Sequence, residues 1–190
     1  MDGTTGGVAV ATDRMTARLL LVGAGLGILA NLLHPVFTPD TSMSDFLATA
    51  AERPDWFWLH EGLLIGLCAL AAGLVLVARR LLGGPGAAWA VAAAVLTVVG
   101  LALSAVQIGV LDAVVVPQLG ELDPGGGPTT ELVALLDRAL LGMTTFLAWG
   151  LGGLALGIAL LQATWAQVWV RWTLVVSGAA GAVVGLIMLM

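Results

Sequence analysis

Residues 87–116 read AAWAVAAAVLTVVGLALSAVQIGVLDAVVV, an uninterrupted apolar run whose single charge is Asp112. Crossing a hydrocarbon layer takes about 20 mostly apolar residues. This run, about Ala87 to Val116, is long enough to cross and either tilt or project beyond the hydrocarbon. Its apolar character is continuous. A barrel strand would alternate and stop after about 10 residues, so a helix is the reading. Pro117 is expected to end it.

Four more stretches of the same kind flank it: about Ala17 to His34, Trp56 to Ala78, Leu132 to Leu161, and Trp169 to Met190. The fold class that follows is all-α, a polytopic membrane helix bundle with five transmembrane helices. Composition agrees. Of 190 residues 59% are hydrophobic and only 10% charged, against roughly 25% charged in a soluble domain, and the mean hydropathy is +1.04. That excludes a soluble globular domain and a disordered chain. Lysine is absent and the seven arginines are scattered, so no basic patch exists and nucleic acid is excluded as a partner. One cysteine, Cys68, excludes an internal disulfide and a cysteine-based zinc site.

The breakers fall between the runs: Pro35 and Pro39, then Gly83-Gly84-Pro85-Gly86, then Asp123-Pro124-Gly125-Gly126-Gly127-Pro128. Thr129 or Thr130 is expected to cap the fourth helix. Residues 1–16, rich in Gly and Thr, are expected to form a disordered cytoplasmic tail, and residues 17–190 one transmembrane domain. A cleavable signal peptide over residues 1–34 is the competing reading, but the run ends without a small-x-small site. The loop 35–55 is expected to carry a short amphipathic helix over residues 43–52, with a plain bridge between helix ends as the alternative.

Arginine sets the orientation. Arg14, Arg18, Arg79, Arg80 and Arg171 fall on one side of a five-span chain, and only Arg53 and Arg138 on the other. The positive-inside rule then gives a multi-pass protein of the cell membrane with a cytoplasmic N-terminus and an extracytoplasmic C-terminus. Abundant Ala, Gly, Val and Leu with arginine and no lysine point to a GC-rich bacterial genome, hence a bacterial inner membrane.

Lipid provides no hydrophobic drive between helices, so close packing needs small residues. Gly23 and Gly27 form such a row in the first span, Gly62, Gly66 and Gly73 in the second, and Thr173, Ser177, Gly181 and Gly185 in the fifth. Packing within one bundle is the favoured reading. The row Ser177, Gly181 and Gly185 is the candidate seam for a second copy or a membrane-protein partner.

Ionisable groups in hydrocarbon cost about 2.5–3.5 kcal/mol each on insertion scales. Here they gather at one depth, toward the outer leaflet: His34, His60, Glu61, Asp112, Asp137 and Arg138. At 100° per residue Gly27, Asn31 and His34 share a face. So do Thr97, Gly100, Ser104 and Gln107, with Asp112 about 80° from Ser104 at the edge of that stripe. Asp137 reads as a first-turn acid favoured by the helix dipole. The expected site is a polar pocket opening to the outside, with Asn31, His34, His60, Glu61, Gln107, Asp112 and Arg138 as ligand-binding residues.

Several chemistries fit these groups. His34, His60, Glu61 and Asp112 can ligate a divalent metal, and His34 with His60 can flank a haem. Glu61 or Asp112, desolvated, can act as an acid catalyst on a lipid or isoprenoid. His60, Glu61 and Asp112 can relay protons or ions, although the opposite halves of the spans offer no polar exit. Against all of these stands a structural or accessory subunit whose polar residues only fasten helices, Glu61 or Asp112 pairing with Arg138. No Walker loop, GxSxG, HExxH, CxxC or lipidation signal occurs, and no motif attaches the chain to a named family.

Overall fold

The computed structural model describes residues 3–35, 42–123, 125, 127–164 and 166–190. Helix makes up 89% of it, with no strands among the described residues. Among the described residues there are six helices: α1 (Gly3–Leu33), α2 (Met43–Glu52), α3 (Trp56–Arg80), α4 (Ala87–Leu122), α5 (Pro128–Ala163) and α6 (Val168–Leu189). Four of them, α3 to α6, are long and apolar enough to cross a membrane. Large apolar side chains cover their outer surfaces, Trp58, Ile65, Val95, Leu132, Val176 and Ile187 among them. An exposed apolar surface of this extent is compatible with contact to a lipid bilayer.

The helix ends follow local chemistry. α1 runs unbroken because no proline occurs before Pro35, which disfavours helix in the residue preceding it. It begins at Gly3, inside the stretch expected to be a tail. Asp13 on this extension pairs with Arg80 at the end of α3. α2 is capped by Ser42, whose hydroxyl accepts from the Asp45 N–H at 3.1 Å. Arg53 then joins two helix ends: Nη1 donates to the Leu33 carbonyl at 3.2 Å, and Nε donates to Asp55 at 2.9 Å. This fills one of the orphan carbonyls that close α1.

Pro117 does not end the third apolar helix, which continues to Leu122. The reason is a π-helical section at Gln107–Val115 just before it. Pro117 therefore sits in the first turn of a renewed α-helical section, where its missing N–H costs little. α5 contains a second π-helical section, Thr145–Gly152. Its start is held by Asp123 rather than by Thr129 or Thr130: Oδ2 of Asp123 accepts from the Gly127 N–H at 2.7 Å. α5 ends on Thr164 in the left-handed region, φ 52°, and Arg171 caps the exit by donating to the carbonyls of Thr164 and Ala166.

Glycines set the helix pairing. A Cβ on Gly23 would lie 2.6 Å from the Leu70 nitrogen, and one on Gly66 2.9 Å from the Leu26 Cβ, so α1 and α3 touch backbone to backbone. Gly185 faces Phe146, and Gly181 lies against Gly150. Gly181 and Gly185 pack on α5 of the same chain, in line with the favoured reading of that row as packing within one bundle, and Thr173 and Ser177 of the row stay exposed. Two cores result. One, near the Arg79–Arg80 end of α3 and the start of α4, holds Val77, Ala78, Ala90, Ala93, Leu156 and Ala159. The other lies at the opposite end, where α2 crosses the bundle and packs Leu47 and Ala50 on Trp56 and Val116.

Candidate functional site

The α2 end of the bundle contains a cavity of about 660 Å³. Its floor and walls come from α2, the far end of α4, the first turns of α5 and the last turn of α6. Ser42, Asp112, Thr130, Asp137 and Arg138 are its polar lining, and Phe46, Leu119, Val133 and Met188 are among its apolar lining.

Two carboxyl groups meet in this cavity. Asp112 and Asp137, on neighbouring helices, are within side-chain hydrogen-bonding range of one another, and Gln107 reaches Asp137 as well. Gln107 is 5% exposed. Its Oε1 and the Oδ1 of Asp137 are buried without a partner. A buried polar atom left unpaired is costly, so three groups at one point with two open oxygens form an unusual concentration of unmet hydrogen-bonding capacity.

Helical geometry explains how they come together. On a regular α-helix Gln107 and Asp112, five residues apart, would point about 140° away from each other. The π-helical section closes its hydrogen bonds over five residues instead of four. Residues five apart then share one side of the helix, much as residues four apart do on an α-helix, and both side chains reach Asp137. Asp137 was legible only as a first-turn acid, and its partnership with Asp112 is the part of the site that sequence reasoning missed. The π-helical section leaves no signal in a 3.6-residue period.

Below this point a buried polar seam continues between α4 and α5. Ser104 donates to the Gly100 carbonyl at 3.0 Å. Thr144 faces the same region with its Oγ1 unpartnered. Thr97, Ser104 and Thr144 line a second cavity of about 20 Å³, room for one water-sized particle.

The histidines form a separate cluster. His34 and His60 meet edge to face with ring centroids 5.3 Å apart, and Trp56 lies 4.6 Å from His60 and 5.6 Å from His34. His60 Nδ1 bonds the Trp56 carbonyl at 2.8 Å, and His34 Nδ1 the Pro35 carbonyl at 3.0 Å. The indole Nε1–H of Trp56 donates to the backbone carbonyl of Asp112 at 2.6 Å, so Trp56 stands between the histidines and the carboxyl pair. Direct ring contact leaves no gap for a macrocycle, and the two histidines do not fit a haem. Among the described residues no group of three or more His, Cys, Asp or Glu is placed to hold a metal ion.

The metal set of His34, His60, Glu61 and Asp112 is therefore dispersed. Glu61 faces α4 beside Gly109, its Oε1 3.8 Å from where a Cβ would stand there. Arg138 is an exposed wall of the large cavity and forms no ion pair with Glu61 or Asp112. The side chain of Asn31 lies outside the described residues. Cys68 is exposed on the α3 surface. At the rim, outside the apolar segments, the side-chain hydrogen bond from Arg53 holds the Asp55 carboxyl below its usual range, and the same bond raises Arg53.

No protein-family model matches the chain, and neither a curated protein nor a solved structure matches it.

Proposed function

We propose that this chain is a five-span membrane protein that binds an amphiphile, an apolar chain bearing a polar head, in the cavity beneath α2. The observation that carries the reading is the cavity's mixed lining. Phe46, Leu119, Val133 and Met188 suit an acyl or isoprenoid chain, while Asp112, Asp137 and Arg138 suit a polar head. Its volume lies within the roughly 300–1,000 Å³ range of small-molecule sites. A carboxyl that keeps its proton in such a place can act as a general acid on a bound isoprenoid, with Asp112 as the donor.

The fifth span is α1. Residues 19–33 carry no charge, its backbone runs against α3 through Gly23 and Gly66, and Leu21 and Leu32 are 73% and 78% exposed. The arginine distribution supports a cytoplasmic N-terminus and an outward-facing α2. Cysteines replacing Arg79 and Asp55 in a Cys68→Ser background would then be labelled from opposite sides of sealed vesicles. Labelling from the same side overturns the topology.

Ala134 lines the cavity, and Ala134→Trp fills it. Wild-type protein, delipidated and analysed by native mass spectrometry, is expected to retain a stoichiometric lipid, and Ala134→Trp to lose it with helicity unchanged. Equal retention by both proteins, or none by the wild type, refutes the reading. The accessory-subunit alternative loses its best feature, because Gly181 and Gly185 pack within the chain.

A further inference from the structure

We propose that Asp112, Asp137 and Gln107 form a binding site for one hard cation, a proton or a sodium ion, entered from the α2 side of the bundle. Asp112 and Asp137 also line the larger cavity, but the cation site consists of these three side chains alone.

The first argument is the nature of the open atoms. Gln107 Oε1, Asp137 Oδ1 and, two turns along α5, Thr144 Oγ1 are buried and unpartnered. The first two can only accept. A site whose unmet groups are all oxygen is completed by an electron-pair acceptor, and oxygen donors select hard cations. Gln107 is the independent observation here. It is not acidic, it is 5% exposed, and it reaches the carboxyl pair. Its amide nitrogen is the only donor it can offer a carboxylate, so its carbonyl oxygen remains to be filled.

The second argument is charge. Two carboxylates side by side in a medium of low dielectric repel strongly unless a cation or a proton lies between them. Among the described residues no ion pair with either acid supplies that charge. Arg138, the nearest cation on α5, is exposed on the cavity wall and unpaired with either acid. From α3, Glu61 faces Gly109, and His60 is turned to the Trp56 carbonyl. α2 contributes Asp45 and Glu52, the end of α4 contributes Glu121, and the adjoining half of α6 has no titratable side chain.

The third argument is access. Asp112 and Asp137 line the large cavity, whereas the seam below them ends in the small one. Beyond that lies the apolar core of Ala93, Ala155 and Leu156. The site exchanges its cation with one side only, which makes it an occupancy site and not a channel.

The test uses the full chain in detergent and the infrared absorption of its carboxyl groups at about pH 7, where solvated carboxylates are ionised. In choline chloride the wild type is expected to show a protonated-carboxyl band that Asp137→Asn removes. If sodium chloride at equal ionic strength erases the band, sodium exchanges for the proton, and the half-saturating sodium concentration rises about tenfold for each unit the pH falls. If the band persists in sodium, the proton is the sole occupant. Gln107→Leu is expected to weaken sodium competition at least tenfold. A wild-type spectrum with no protonated-carboxyl band in choline chloride overturns the proposal, and this outcome needs no variant to fold. A band that survives both Asp112→Asn and Asp137→Asn overturns it as well. Failure to retain a lipid leaves these readouts unaffected, so the two proposals fail separately.

Discussion

Replacing Trp56 tests how the α2 end is held. The indole is 2% exposed, lies 4.6 Å from the His60 ring and 5.8 Å from Phe46 of α2, and donates to the Asp112 carbonyl at 2.6 Å. One side chain thus ties α1, α2, α3 and α4 together. Trp56→Ala removes the packing and the donor, with an expected cost of about 3–5 kcal/mol. Trp56→Phe keeps most ring contact and leaves one carbonyl without its indole donor, for which about 1–3 kcal/mol is expected. Unfolding of detergent-purified variants, followed by circular dichroism, gives the two losses. Reactivity of a cysteine placed at Leu47, 1% exposed in the native chain, reports whether α2 has lifted. The expected order is alanine well below phenylalanine, with fast Leu47→Cys labelling only in the alanine variant. If both variants lose the same stability, the hydrogen bond and not the ring holds this end. A neutral Trp56→Ala would refute the docking of α2 altogether.

Three further predictions concern packing and pH. Gly25 and Gly62 have open space where a Cβ would stand, so alanine at either is expected to raise stability by about 0.4–1 kcal/mol. Gly185→Leu forces a side chain into the Phe146 backbone and is expected to cost at least about 1–3 kcal/mol in a thermal melt; a tolerated leucine would mean α6 does not pack there. The Asp55 carboxyl is lowered by Arg53, so its contribution is present above its unfolded value of about 3.9 and fades as pH falls through the lower native value. Asp55→Asn is expected to flatten the acid limb of the stability profile slightly, both groups being solvent-exposed. An unchanged limb would show that the pair does not couple to folding.

Apolar length alone places α3 to α6, because a bilayer demands about 20 lipid-compatible residues and the chain supplies such runs between Gly-Pro breaks. The depth at which the polar groups gather is equally local information, since it follows from their distance to the helix ends. Pro117 misled because a π-helical section within its own helix, Gln107–Val115, leaves no 3.6-residue signature, whereas the Gly181–Gly185 row packs within the bundle as the favoured reading has it. What tertiary structure settled is which polar groups meet. His34 and His60 turn to Trp56, Glu61 to Gly109, and Asp112 to Asp137. A projection at 100° per residue is valid only while every turn closes over four residues, and the π-helical section at Gln107–Val115 breaks that condition just where the carboxyl pair forms.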